Sequence, residues 1–359
     1  MRFKILFLFI SLFGALSVKA ESGRLFSADK ELSNSLTNDM LQDSYGVIWI
    51  ATEDGLNRYD GSKFTTYKHN KNNPKSIQND YVRILHEDSR NRFFVGSLNG
   101  LQLYNHAADT FEEVHLIDKT GVSLRPHVFC ILERKNKDIL IGTSGQGIFN
   151  LSADNNTLSA TQCKDIETSI YISYLYEDKD ENLWISTQDK GLFRLSSDNV
   201  LTSFLKSSDV GLNNISSICE DNDGNVLFGS LTRGLFLHEK KTDKFIPVPY
   251  DGEQNLPIKT LFINSPKEIY IGTDGLGMKV YKCNEKRIIN SSLNISNFNF
   301  EKSKVHSVLR DDVGNIWLGI YQKGVFLIPG QTNKFNYIGY KSVKNNTIGT
   351  NCVMSVCED

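Results

Sequence analysis

Ile48-Trp49-Ile50-Ala51-Thr52, Leu183-Trp184-Ile185-Ser186-Thr187 and Ile316-Trp317-Leu318-Gly319-Ile320 are three spellings of one five-residue phrase. It runs apolar, Trp or another large apolar residue, apolar, small, and then usually Thr or Ser. Four more copies are Phe93-Phe94-Val95-Gly96-Ser97, Ile139-Leu140-Ile141-Gly142-Thr143, Val226-Leu227-Phe228-Gly229-Ser230 and Ile269-Tyr270-Ile271-Gly272-Thr273. Their central residues, 49, 94, 140, 184, 227, 270 and 317, are separated by 45, 46, 44, 43, 43 and 47 residues. Seven copies at so even a spacing make a repeat the first fact about this chain.

The flanks repeat as well. Six residues before the centre stand Asp43, Asp88, Asp178, Asp221 and Asp311, with Arg134 and Asn264 as exceptions. Gly46, Gly224 and Gly314 follow three residues later, which is turn chemistry: a carboxylate to bond nearby N–H groups and a glycine for positive φ. After the phrase comes Gly then an apolar residue, from Gly55-Leu56 to Gly324-Val325, and often a further Phe such as Phe64, Phe111, Phe204, Phe245 or Phe335. Each unit thus supplies four short strands. The innermost strands include Tyr81–His86 and Ile215–Cys219.

The phrase is apolar at consecutive rather than alternate positions, so both faces of its strand are buried. Parallel α/β sheets achieve this with helices, but no helical pattern separates these strands. Radial stacking of four-stranded sheets achieves it without them. The expected fold is all-β: a seven-bladed β-propeller of four-stranded antiparallel blades, over residues 21–349. Either Arg24-Leu25-Phe26 or Phe335-Asn336-Tyr337 supplies the strand that closes the ring, and the sequence leaves that choice open.

Composition agrees with a globular β protein: 40% hydrophobic, 23% charged, 26 Gly against 7 Pro in 359 residues. Basic Arg2 and Lys4, the apolar run Ile5–Leu16 and the small residues around Ala20 read as a secretory signal peptide over 1–20, too short in its apolar part to span a bilayer. Its loss moves the formal charge from −2 to −5, against nucleic-acid binding through a basic face. The mature segment is expected to be exported, without inserting into a membrane.

Six cysteines, at 130, 163, 219, 283, 352 and 357, form no C-x-x-C pair and no zinc spacing. Cys130, Cys219 and Cys357 sit in apolar strand-like runs and read as buried thiols. Cys163 and Cys283 pair only if the fold brings them together.

The connector after Phe64-Thr65-Thr66-Tyr67, with Asn72-Asn73-Pro74-Lys75-Ser76-Ile77, returns after Phe335 as Asn345-Asn346-Thr347-Ile348. It leads into Val353–Asp359, a match to Val82–Asp88. Residues 350–359 therefore read as the first strand of an eighth repeat, in a fragment of a longer protein or a truncated gene product.

The stretch Leu41–Gly61, with Asp43, Gly46, Trp49, Gly55, Leu56, Tyr59 and Gly61, resembles the two-component-regulator propeller repeat. The resemblance spans about residues 24 to 359. It is strong in repeats one, two, four, five and seven and degraded in repeats three (Arg134) and six (Asn264, Pro266). It implies the N-terminal periplasmic sensor propeller of a Bacteroidetes hybrid two-component system. Such a sensor carries two propellers, a β-sandwich, a membrane helix, a histidine kinase and a DNA-binding response regulator. It detects saccharide fragments and controls polysaccharide utilisation. The implied partners are an oligosaccharide and the downstream sensor domains of the same protein. A homodimer of the full-length receptor is an open option.

Enzyme motifs are thin: no G-x-S-x-G, H-E-x-x-H or phosphate-cradling glycine loop. Asp221-Asn222-Asp223-Gly224-Asn225 looks like part of a calcium loop but recurs in other blades as a strand turn. Neither cofactor nor metal is expected. The repeated aspartates and Trp49, Trp184 and Trp317 read as structural, the tryptophans as packing between blades.

Positions that break the repeat make better ligand candidates. Thirteen residues before the centre stand Leu36, Tyr81, His127, Tyr171, Asn214, Pro257 and Lys304. Eleven before it stand Asn38, Arg83, Phe129, Ser173, Ser216, Lys259 and His306. Both rows fall at the upstream end of the innermost strand, near the axis. Tyr81, Arg83, His127, Tyr171, Lys259 and His306 offer stacking and cationic contacts to an acidic or neutral sugar. The competing reading is a solvated channel mouth. Three functions remain in play: a sensing propeller without catalysis, a secreted glycan lyase or glycosidase, and a scaffold that touches only neighbouring domains.

Overall fold

The computed structural model describes residues 23–153, 158–163, 166, 169–204, 212, 214–251, 255–291 and 298–330. The signal peptide, the Phe335 strand, Cys352, Cys357 and the eighth-repeat strand lie outside them. Every helix-or-strand element among the described residues is a β-strand. They form a seven-bladed β-propeller of four-stranded antiparallel blades. The innermost strands are Thr37–Gln42, Val82–Glu87, His127–Glu133, Ile172–Glu177, Ile215–Glu220, Ile258–Ser265 and Val305–Arg310. Each touches the next around the axis, and Val305–Arg310 returns to Thr37–Gln42.

Arg24–Phe26 completes the seventh blade, pairing antiparallel with Gly324–Ile328 and setting Leu25 opposite Phe326. Phe26 is fully buried, stacked 5.8 Å from Trp317 of its own blade and 5.6 Å from Tyr59 of the first. The two ends of the ring are thus joined by one aromatic cluster.

The second strands Ile48–Thr52, Phe93–Ser97, Leu183–Thr187 and Val226–Ser230 are buried at every residue, as their unbroken apolar runs require. The small residue in each phrase has a specific cause. A Cβ on Gly96 would lie 2.5 Å from Ile84 Cγ2 of its own blade and 2.8 Å from Val128 Cγ1 of the next. Neighbouring blades close on each other over that position, and a side chain there would hold them apart.

The repeated aspartates build the turns. Asp43 Oδ1 accepts the N–H groups of Tyr45 and Val47 at 3.0 and 2.9 Å, and Oδ2 accepts Trp49 Nε1–H at 2.7 Å. The same indole bond joins Trp184 to Asp178 and Trp317 to Asp311, both at 2.9 Å. Where the central residue has no N–H, another donor takes its place: Arg92 Nε reaches Asp88 at 2.6 Å and Asn225 Nδ2 reaches Asp221 at 2.9 Å. The carboxylate therefore couples turn to strand even in blades without a tryptophan.

One departure concerns blades two and three. The long outer strand Thr110–Ile117 pairs in parallel with Ser159–Gln162, Leu116 opposite Ala160, and the short strand Ser123–Leu124 folds back on it. The two blades become one continuous sheet. Cys130, Cys219 and Cys283 are buried thiols. Cys163 packs against the core of blades three and four and Cys283 lies in that of blades five and six, so the fold does not bring them together.

Candidate functional site

Every innermost strand carries a β-bulge at the same place. Pairing with the second strand skips Asn38, Arg83, Phe129, Ser173, Ser216, Lys259 and His306. These are the residues eleven before the repeat centre. A bulge sets two residues against one, so neighbours that alternation would send to opposite faces turn the same way. Both the skipped residue and its successor then line the axis. The seven successors are Asp39, Ile84, Cys130, Tyr174, Ser217, Thr260 and Ser307, and all fourteen residues wall one cavity of about 340 Å³.

A smaller cavity of about 150 Å³ opens beside it, lined by Leu36, Thr37, Asn38, Glu53, Tyr81, Arg83, Lys259, His306 and Tyr321. Asn38, Arg83, Lys259 and His306 border both spaces and form the waist between them. Of the six candidate ligand residues, Arg83, Lys259 and His306 therefore converge, with Tyr81 at the mouth. His127 packs edge-on to Tyr81 at 5.8 Å and against Phe129 at 4.5 Å, behind the wall. Tyr171 lines a separate groove with Gln146, Ile170 and Lys190, away from the axis.

The charge pattern at the waist is one-sided. Arg83 has its guanidinium 5.1 Å from the Phe129 ring and makes no ion pair among the described residues, and neither does Lys259. Burial, and then Arg83, lower the Lys259 pKa, and Asp274 opposes this. Burial also lowers that of His306, whose Nε2 lies 3.3 Å from Asp274 Oδ1. Lys304 shares the same carboxylate oxygen at 3.0 Å. Burial, with Arg83 adding to it, pushes His127 down to about 4.

Asp39 is the one carboxylate in the wall of the larger cavity. The sequence reading did not single it out, although it is the only acid among the seven residues ten before the centre. Its Oδ2 accepts Leu85 N–H and its Oδ1 accepts Met40 N–H, each at 2.9 Å. Ser217 Oγ does the same for Leu261 N–H at 3.1 Å, so Asp39 holds adjacent blades together where another blade uses a hydroxyl. Burial raises its pKa to about 6 despite those bonds and the nearby Arg83.

Comparison with known proteins bears on this architecture. The two component regulator propeller family matches residues 31–54, 166–189 and 209–232, which fall in blades one, four and five. A histidine kinase P4 of Formosa agariphila is 38% identical over 77 residues, 20% of this chain and 5% of that protein. The extracellular domain of a putative hybrid two component system from B. thetaiotaomicron superposes with a TM-score of 0.73 at 22% identity, over 94% of this chain and 46% of that one. A second such domain from that organism gives 0.72 at 16% identity, over 91% and 46%. The chain spans about half the length of these solved domains.

Proposed function

From three segments that match the two component regulator propeller family, we infer a ligand-sensing propeller: the periplasmic input segment of a hybrid two-component receptor that detects oligosaccharides and controls polysaccharide utilisation. The observation that carries this reading is the axial cavity, walled by two consecutive residues from every blade. Those residues differ from blade to blade while the surrounding repeat is kept, as a site that selects a ligand requires. Extracellular domains of two-component systems share the fold. The apolar start of the chain supports export. In the full receptor, signal output would fall to a histidine kinase outside this segment.

Catalysis is not part of the reading. Hydrolysis of a glycosidic bond uses two carboxyl groups facing one bond, within about 10 Å. The larger cavity offers one, Asp39, and both its oxygens already accept backbone N–H groups.

Calorimetry of the purified chain against a panel of plant and host oligosaccharides, with a reducing-end assay on the same mixtures, tests this. Heat without turnover is the expected result. Turnover would overturn the sensing reading in favour of an enzyme. Silence across the panel would overturn the placement of the ligand in this propeller and leave it a scaffold.

A further inference from the structure

We propose that the waist of the axial channel is an anion-binding site, and that the ligand it takes carries a carboxylate or a sulfate ester. This deepens the sensing reading by naming the charge class of its ligand. Arg83, Lys259 and His306 come from blades two, six and seven, far apart in the chain, and border both axial cavities. Three basic side chains from three blades are not a by-product of local sequence.

Their partners are missing on the protein side. Among the described residues, Arg83 and Lys259 make neither an ion pair nor a side-chain hydrogen bond. Two like charges confined near each other without a direct ion-pair partner destabilise one another, and each also loses hydration. The protein carries that cost at the one place where all seven bulges aim side chains at the axis. A bound oxyanion removes it, accepting from the planar guanidinium fork and from the ammonium at once.

The other groups at the site fit. Asp39 directs both oxygens to backbone N–H groups and makes no ion pair with Arg83. Asp274 is shared by Lys304 and His306. Tyr81 at the mouth offers an aromatic ring for a sugar behind the charged group, while Tyr321 beside it is packed by His306 and Lys304. Glu53 at the same mouth disfavours a second negative charge there, so one charge at the waist fits better than a polyanion.

The test is calorimetry on the full chain with four probes: an oligogalacturonate, a sulfated disaccharide, a neutral galacto-oligosaccharide of matched length, and free glucuronate with inorganic sulfate. Binding of at least one charged saccharide, weakened by salt and lost by about tenfold or more in Arg83→Gln and in Lys259→Gln, is expected. Whichever charged saccharide binds identifies the source of the anion. Binding of the free anions alone would keep the anion site and overturn the saccharide reading. Neutral binding equal to charged binding would overturn the anion site and keep the saccharide reading. No binding of any charged probe, or charged binding unchanged in both variants, would overturn the proposal. Circular dichroism melts of the variants verify that the channel is still built.

Discussion

Gln42 and Asp312 lie 270 residues apart in the chain and exchange two hydrogen bonds: Gln42 Nε2–H donates to Asp312 Oδ1 at 2.9 Å, and Gln42 Oε1 accepts Asp312 N–H at 2.8 Å. The pair is the closing member of a clamp that recurs at five of the seven blade junctions among the described residues. Glu87 takes the N–H and hydroxyl of Ser44 at 2.7 and 2.8 Å, Glu133 takes the N–H of Ser89 at 2.9 Å, Glu177 that of Lys135 at 2.7 Å and Glu220 that of Lys179 at 2.8 Å. Each joins the innermost strand of one blade to the turn of the blade before it. At the closure the clamp is polar and exposed, and the buried aromatic contact of Phe26 lies in the same junction.

These two parts of the junction should differ sharply in worth. Gln42→Ala removes exposed hydrogen bonds and should cost about 1 kcal/mol or less. Phe26→Ala empties a fully buried site and should cost about 3–5 kcal/mol. Urea unfolding of both variants checks the order. Equal costs would mean that the closing strand contributes little.

The indole bond of Trp49 can be tested by borrowing from blade two. Trp49→Phe leaves Asp43 Oδ2 short of a donor in a buried place, at about 1–3 kcal/mol. Adding Val47→Arg recreates the arrangement of Phe94 with Arg92 and Asp88, and should recover part of the loss. A double variant no more stable than Trp49→Phe would show that packing, not the hydrogen bond, sets the cost.

Gly96→Ala should destabilise by about 1–3 kcal/mol, since its methyl meets Ile84 and Val128 from two blades. Combining it with Val128→Ala makes room on the far side. The pair should therefore be less destabilised than the two single costs added together, as a double-mutant cycle would read.

Acid should destabilise the protein in part through His127. Its native pKa is pushed down to about 4, below the ordinary value of 6.5. Above 6.5 both folded and unfolded forms hold it neutral, so its contribution is constant. As pH falls from 6.5 toward 4 the unfolded chain takes a proton that the native state refuses, and stability falls. His127→Gln should flatten that part of the stability curve. An NMR titration placing His127 near 6.5 would contradict the assignment.

The repeat was legible because each blade must spell the same buried strand, and a ring of seven prints that spelling seven times. The closing strand was not: Arg24–Phe26 is three residues long, carries no repeat phrase and competes on paper with Phe335-Asn336-Tyr337. The row from Asn38 to His306 was readable from its variability. Its meaning, and the existence of the second row with Asp39, was hidden because a bulge is a mismatch between two strands and neither strand records it alone. Tyr171 occupies the same repeat position as Tyr81 yet faces another groove, since it forms an isolated bridge to Ser144 of blade three. Repeat position gives a residue's height along the blade but not the direction a bridge turns it.

The use of Arg24–Phe26 as the outer strand of the last blade also sets an order of events during synthesis. The strand made first is the one whose partner, Gly324–Ile328, is made last. About 300 residues of ribosomal output, on the order of 15–60 s at ordinary elongation rates, separate the two. Six blades have time to form while this strand waits, and the edge of the seventh stays open until the ends meet. Closure is then a single late event that joins the oldest and youngest parts of the ring.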